Sequence, residues 1–261
     1  MTDLERRRLF GLDFVTGTTV AELADTLVRD ASSATTKWQC VVTPNVDHLV
    51  RYRSHVDERT VAEHAFMVLP DGMPIVWASR LLRASLSGRL PGSDLFSRLW
   101  PQIAEHATPT VVLASSARVA SLLRAEHPNV EMIVAPMFDM DDHQTIDTLV
   151  TQMVDASRRI DARFLFITVS MPKHHLLASR LEQRWRDDTG HKPTVMLVGA
   201  SPEFYLGLTK RAPRWMQRSG FEWLHRLLLE PRRMGRRYLV DDPKFMLIVW
   251  DEWKHRRRSN R

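Results

Sequence analysis

Residues 131–169 read EMIVAPMFDMDDHQTIDTLVTQMVDASRRIDARFLFITV, and the order of patterns within them decides the fold class. Glu131–Ala135 and Phe164–Val169 are short apolar runs rich in Val, Ile and Phe, the composition of strands buried on both faces. Between them, Ile146, Leu149, Val150 and Met153 recur at the spacing of one helical face. Strand, helix and strand in that order make a crossover unit, which joins parallel strands. The pattern extends outward. Trp38–Thr43, Phe66–Leu69, Thr110–Ala114 and Thr194–Val198 are further strand-like runs, and most precede a stretch of helical period. The expectation is an α/β fold, a mostly parallel sheet with helices on both faces. After about Gly199 the strand runs give way to Trp- and Arg-rich helical stretches such as Phe221–Glu230. We therefore expect a core over residues 1–209 and a basic, amphipathic C-terminal helical appendage over 210–261.

With 261 residues and 44% hydrophobic side chains, the chain can bury a sizeable core. Cys40 is its single cysteine and lies in an apolar run. That excludes a disulfide framework and a cysteine-rich zinc site, and fits a buried thiol in a reducing cytoplasm. The opening residues lead into no sustained apolar stretch, and no 18 consecutive apolar residues occur, so neither secretion nor a membrane span is expected. The net charge of +6 is unevenly placed. Residues from Lys210 onward hold 15 Lys/Arg against 6 Asp/Glu, and those before it 22 against 25. A basic tail on a mildly acidic body points to an anionic partner: phospholipid, nucleic acid or a phosphate-bearing substrate.

In parallel α/β folds, ligands bind beyond the carboxyl ends of the strands. Asp71, in a Pro-Asp-Gly turn after one such end, can serve as a base. It equally suits a turn or helix cap before a helix near Pro74. Thr43-Pro44-Asn45 offers a hydroxyl and an amide to sugar hydroxyls, or simply starts a helix. Arg89 presents a planar fork for a diphosphate, or is a solvated loop arginine. Asp139-Met140-Asp141 matches a pattern that holds a metal on a diphosphate, but with Asp142 it also reads as acids at a helix start. No Gly-x-Gly-x-x-Gly and no Walker loop occur. His174 and His175, adjacent at a helix start, diverge by about 100° and cannot easily share a metal. With no His-Glu-x-x-His either, a zinc enzyme is rejected. In the tail, Phe221, Leu224, Leu227 and Leu228 share a face beside Arg226, Arg232, Arg233, Arg236 and Arg237. Such a stretch fits a membrane-surface helix, or a core-packed helix with a solvated basic face. Lys254–Arg258 reads as a flexible basic tail.

Taken together and in this order, these segments resemble the WecG/TagA/CpsF glycosyltransferase family from about Val41 to Tyr238. The markers are Thr43-Pro-Asn45; Asp71-Gly72 followed by Ile75-Val-Trp77; Arg89 with Gly92-Ser-Asp-Leu95; Pro172-Lys173; and a C-terminal block. That block runs through Gly207-Leu-Thr-Lys-Arg-Ala-Pro213, Phe221-Glu-Trp223, Arg226-Leu227, Glu230-Pro231 and Arg237-Tyr238. The resemblance implies a Rossmann-like sheet with a C-terminal appendage, inversion at the anomeric carbon, no cofactor and no obligatory metal. It implies a UDP-sugar donor and an undecaprenyl-diphosphate-linked sugar acceptor. Asp71 then falls where the family's proposed base lies, and Thr43 and Asn45 in its pocket motif. Lys173 and His174 stand at the donor side, and Arg89, Arg211, Arg218 and Arg226 where diphosphates could be neutralised. The chain departs from the family pattern at Pro172-Lys-His-His175, where Pro-Lys-Gln-Glu is usual, and at Pro136-Met-Phe138, where Gly-Tyr-Phe is usual. His174 would replace an amide, donate a hydrogen bond and make binding pH-sensitive near neutrality.

The reading is a metal-independent inverting glycosyltransferase of cell-surface polysaccharide synthesis, cytoplasmic and peripheral on the inner face of the membrane. Its partners are the two substrates and an anionic membrane surface; it leaves room for a homo-oligomer. The altered donor-side motifs motivate an alternative, a divergent scaffold protein in a polysaccharide-assembly complex. Nucleic acid is not expected as a partner, because no recognition helix or aromatic sheet signature occurs.

Overall fold

The computed structural model describes residues 4–31, 35–127, 129–210, 212–213, 216, 224 and 242–259. The Phe221–Glu230 stretch, apart from Leu224, therefore lies outside the described residues, and so do Arg211, Arg218 and Arg226.

All six expected strands form: Cys40–Val42 (β3), Met67–Val68 (β4), Thr110–Ala114 (β5), Val130–Val134 (β6), Phe164–Ile167 (β7) and Thr194–Leu197 (β8). Two more precede them, Arg6–Leu9 (β1) and Leu12–Val15 (β2), an antiparallel hairpin that the sequence reading missed. Its turn is Phe10-Gly11, both with positive φ (54° and 80°), the geometry that matches a two-residue turn to strand twist. The arginines of β1 hide the strand from a hydrophobicity reading, since only Leu9 of its four residues is buried. The eight strands lie in the order β1-β2-β4-β3-β8-β7-β5-β6, with every pair parallel except the first. This is the mostly parallel, Rossmann-like α/β sheet expected.

Period-two alternation sends side chains to opposite faces. Val111 and Leu113 of β5 point to one core, Val112 and Ala114 to the other. Helices His143–Arg159 (α7) and Lys173–Trp185 (α8) cover the first face, with Ile146, Leu149, Val150 and Met153 of α7 all buried, as their spacing required. Val46–Arg51 (α2), Val56–Glu63 (α3) and Met73–Leu81 (α4) share that side. Val20–Ala31 (α1), Gly92–Glu105 (α5) and Ala117–Glu126 (α6) cover the other, where Phe96 stacks on Trp100 and meets Phe166 edge-on at 5.4 Å. A short helix, Ser201–Tyr205 (α9), follows β8.

The chain's last stretch is no loose tail. Phe245–Ser259 is a helix (α10) whose Phe245 and Val249 enter the first core, with Phe245 edge-on to Phe10 at 5.5 Å. Arg53 pairs with Asp251 at 2.8 Å, and Arg256 reaches the carbonyl of Arg8. Six apolar residues at the start of the helix override the basic run at its end, because burying one helical face compensates the ordering of the rest. Among the described residues no helix is long and apolar enough to cross a membrane.

Phe166 is fully buried at the centre of the aromatic cluster on the second face. Phe166→Ala is expected to cost about 3–5 kcal/mol of unfolding free energy, read as a lowered urea midpoint.

Candidate active site

The carboxyl ends of β3 and β4 lie side by side, and the chain leaving them stays paired. Leu69 N–H donates to the Val42 carbonyl (2.9 Å) and Asp71 N–H to the Pro44 carbonyl (3.1 Å). Leu90 N–H donates to the Pro70 carbonyl (2.7 Å). Three loops carrying Thr43 and Asn45, Asp71, and Arg89 are therefore fastened to one another by main-chain bonds beyond the sheet.

Each loop has its own supports. Asp71 is half-buried and stands one residue ahead of the cap of α4, which is Gly72 at φ +114°, ψ 142°. Only glycine adopts that conformation without strain, so the backbone requires the glycine of the Pro-Asp-Gly turn, and Gly72 holds the cap position of α4. Thr43 packs against the first residue of α5: a Cβ built on Gly92 would lie 2.9 Å from Thr43 Oγ1. Asn45 caps α2, its Oδ1 accepting from His48 N–H at 3.2 Å, so the helix-start reading of this motif holds. Ahead of Arg89, Leu86 N–H donates to the buried Ser79 hydroxyl (3.0 Å) and Ser87 N–H to Thr16 Oγ1 (2.8 Å). The Arg89 side chain is only 17% exposed, with its guanidinium 3.9 Å from the Asp94 carboxylate. It is not a solvated loop arginine.

His174 lies at the head of α8, 4% exposed, and its Nδ1 is 3.0 Å from the Val169 carbonyl. A carbonyl only accepts, so Nδ1 carries the proton and Nε2 of the neutral ring presents a lone pair. Burial pushes its pKa down to about 4, partly opposed by the bond to Val169. This corrects two expectations. His174 does not titrate near neutrality, and its second nitrogen is an acceptor where a donor was anticipated. His175, 2% exposed, shares a 2.8 Å hydrogen bond with the Tyr52 hydroxyl. Burial first, then His174, His48 and Arg51, holds it well below the usual imidazole range. Both rings lie 6.0 Å from the ring of His48. His174 Nε2 and His175 Nδ1 are buried without a hydrogen-bond partner among the described residues, a cost of about 1–3 kcal/mol each.

The remaining expected residues lie apart. Lys173 places its ammonium 4.5 Å over the Phe138 ring, toward the β6 end of the sheet. Asp139 and Asp141 are exposed on the loop after β6, and Asp142 caps α7 through Thr145 N–H at 3.0 Å. At roughly 4.8 Å per strand, the ends of β6 and β3 lie about 19 Å apart across the sheet. Arg211, Arg218 and Arg226 lie outside the described residues.

Three contributors were missed from sequence: His48, Thr168 and Glu203. His48 occupies the third position of α2, and its Nδ1 faces Asn45 N–H at 3.4 Å, closing a capping box. Ser115 donates to Glu203 (2.9 Å), and Thr168 Oγ1 accepts from Ser115 N–H (2.9 Å), closing the crevice between β5 and β7. His48 follows Asn45 at capping-box spacing, a signal concealed because histidine is not the usual partner there. Glu203 and Thr168 carry no comparable signal; only strand order brings them to Ser115.

The glycosyl transferase WecG/TagA/CpsF family matches residues 7–259. An N-acetylglucosaminyldiphosphoundecaprenol N-acetyl-beta-D-mannosaminyltransferase of Bacillus subtilis (strain 168) is 27% identical over 195 residues, 73% of this chain and 70% of that protein. One of the same name from Staphylococcus aureus (strain NCTC 8325 / PS 47) is 24% identical over 248 residues, 92% and 91% of the two chains.

The buried histidines set an acid limit. Unfolded imidazole takes up a proton near pH 6.5, whereas folded His174 does so only near pH 4. Above pH 6.5 both states are neutral and the fold keeps its full stability. As pH falls from 6.5 toward 4, the unfolded chain gains a proton that the fold refuses, and stability drops by up to about 1.4 kcal/mol per unit. Urea midpoints should fall across that window and fall less steeply in His174→Gln.

Proposed function

The chain belongs to the WecG/TagA/CpsF glycosyltransferase family, and on that premise we propose that it moves one sugar, with inversion and without a metal ion, from a UDP-sugar to an undecaprenyl-diphosphate-linked sugar. The observation that carries this reading is the fastening of the Thr43, Asp71 and Arg89 loops by the bonds from Asp71 to Pro44 and from Leu90 to Pro70. Such bonds hold the three loops together before any ligand arrives, and a preorganised carboxylate, hydroxyl and guanidinium are what transition-state stabilisation needs. The relatives' names supply the acceptor class: N-acetylglucosamine carried on diphosphoundecaprenol.

In the reaction, Asp71 takes the proton of the acceptor hydroxyl as its oxygen attacks the anomeric carbon. The bond from that carbon to the UDP oxygen breaks on the opposite face, and UDP leaves with the electron pair. Thr43 and Asn45 orient sugar. Arg89 faces the diphosphate, exchanging its 3.9 Å contact with Asp94 for a bidentate one. Arg211, Arg218 and Arg226 add positive charge from the appendage.

Asp71→Asn keeps the shape of the turn and removes the base. UDP release with a lipid-diphosphate-sugar acceptor should fall roughly 100-fold or more, while calorimetric binding of the UDP-sugar stays near the unmutated value. An unchanged rate would reject the base. Failure of every UDP-sugar in a panel to bind would favour the scaffold reading instead.

A lipid-linked acceptor calls for work at an anionic membrane face. Supporting this, α10 turns Met246, Leu247 and Trp250 outward, 64%, 59% and 51% exposed. Lys254 lies 5.1 Å over the Trp250 ring, and Arg257 lies 3.9 Å over that of Trp253. An apolar, Trp-bearing face with cations beside it suits a headgroup boundary. Met246→Glu with Leu247→Glu should weaken binding to anionic vesicles in sedimentation, leaving the fold intact because neither side chain is in the core. Equal binding would remove α10 from the membrane contact.

A further inference from the structure

Asn45 N–H points to His48 Nδ1, and the carbonyl of the preceding Pro44 accepts from Asp71 N–H. His48 is thus two links from the residue read above as the base. Its ring is also wedged. His174 meets it edge-on (6.0 Å, 84°), His175 lies at 6.0 Å and 68°, and Tyr52 at 6.4 Å. His174 is anchored to Val169 at the end of β7 and His175 to Tyr52, so the packing spans the carboxyl ends of β3, β8 and β7.

The bond at His48 needs a ring nitrogen without a proton, while the His174 ring donates to Val169 from its protonated Nδ1. His48 Nδ1 accepts only while it carries no proton, since protonation there sets two donors face to face. The surroundings oppose a positive charge. Arg51 of α2 stands beside His175, bound bidentately to Glu58 of α3 at 2.6 and 3.1 Å. Tyr52 and the buried Cys40 thiol of β3 are kept protonated by burial, and Asp47 on α2 faces Arg51. Lys173, at the head of α8, is turned onto Phe138. Two ring nitrogens remain buried without partners among the described residues, a cost that apolar side chains would avoid.

We propose that His48, wedged by His174 and His175, is a positioning residue that holds the Pro44–Asn45 turn and through it the Asp71 main chain in the productive place. This rests on Asp71 being the base, and it assigns to the His-His departure a role in support of the site.

The test compares His48→Gln and His48→Ala in the full-length protein. Glutamine at the third helix position can still accept from Asn45 N–H and does not titrate. His48→Ala should lower kcat roughly tenfold with little change in KM for the UDP-sugar, as a displaced base would. His48→Gln should recover most of that loss. Hydrogen exchange of the 66–75 peptide, which needs no activity, should quicken in the alanine variant and stay slow in the glutamine one. Unaltered exchange and kcat in His48→Ala would overturn the proposal, as would a glutamine variant as impaired as the alanine one. If the alanine variant does not fold, His48→Leu, which fills the space of the ring but cannot accept from Asn45 N–H, takes its place with the same expected and overturning outcomes. Absent turnover in the unmutated enzyme with quickened exchange in His48→Ala would sink the base assignment and keep the positioning.

Discussion

The main-chain ladder between β3 and β4 does not end where the strands do. It runs on through Leu69 to Val42 and Asp71 to Pro44, and Leu90 then binds back to Pro70. Everything that can act chemically in this half of the molecule hangs on those bonds. Loops after parallel strands usually diverge, because each leads to its own helix. Here they cannot diverge: Gly72 turns the chain at φ +114° into α4, and Gly92 lets the head of α5 close on Thr43. The two glycines are the steric condition for the cluster, one by conformation and the other by the absence of a Cβ.

Beneath the cluster lies a polar layer of an unusual kind. Cores fill such space with Leu or Val, yet α8 presents two buried imidazoles to a third on α2. The layer is electrically neutral in effect, with the Arg51–Glu58 pair balanced internally and the histidines held uncharged by burial. Buried polar groups rigidify only when their bonding geometry is met, and the cost of the unmet ones falls on stability.

The outer parts divide by charge. The core body is slightly acidic, while the basic residues gather from Lys210 onward, at the end where α10 exposes its apolar face. An anionic, lipid-carried substrate would meet apolar contact and positive charge on one helix. The Asp-x-Asp pair follows β6 at the far edge of the sheet, a strand whose end lies about 19 Å from that of β3 by strand spacing, so two motifs with similar chemical promise sort into different places.

Much of this was legible in the sequence. Period-two runs and 3.6-residue faces locate strands and helices because burial of one face is a local, repeating demand. The six strands from β3 to β8 and α7 followed directly. Asp71, Thr43, Asn45 and Arg89 could be singled out because each follows a strand end or stands in a Gly/Pro-rich loop, where chemistry concentrates in parallel folds. The β1–β2 hairpin escaped because its arginines mask an edge strand, and the helical state of Lys254–Arg258 because a basic run by itself does not show that it continues a helix begun by six apolar residues. Strand order alone decided which candidates are neighbours: it joined the exits of β3 and β4, removed the Asp-x-Asp loop from them, and brought His48 against His174. Adjacency across a sheet is a long-range property. Residues 48 and 174 meet because β3, β8 and β7 are consecutive in space, and nothing in the local pattern around either histidine encodes that.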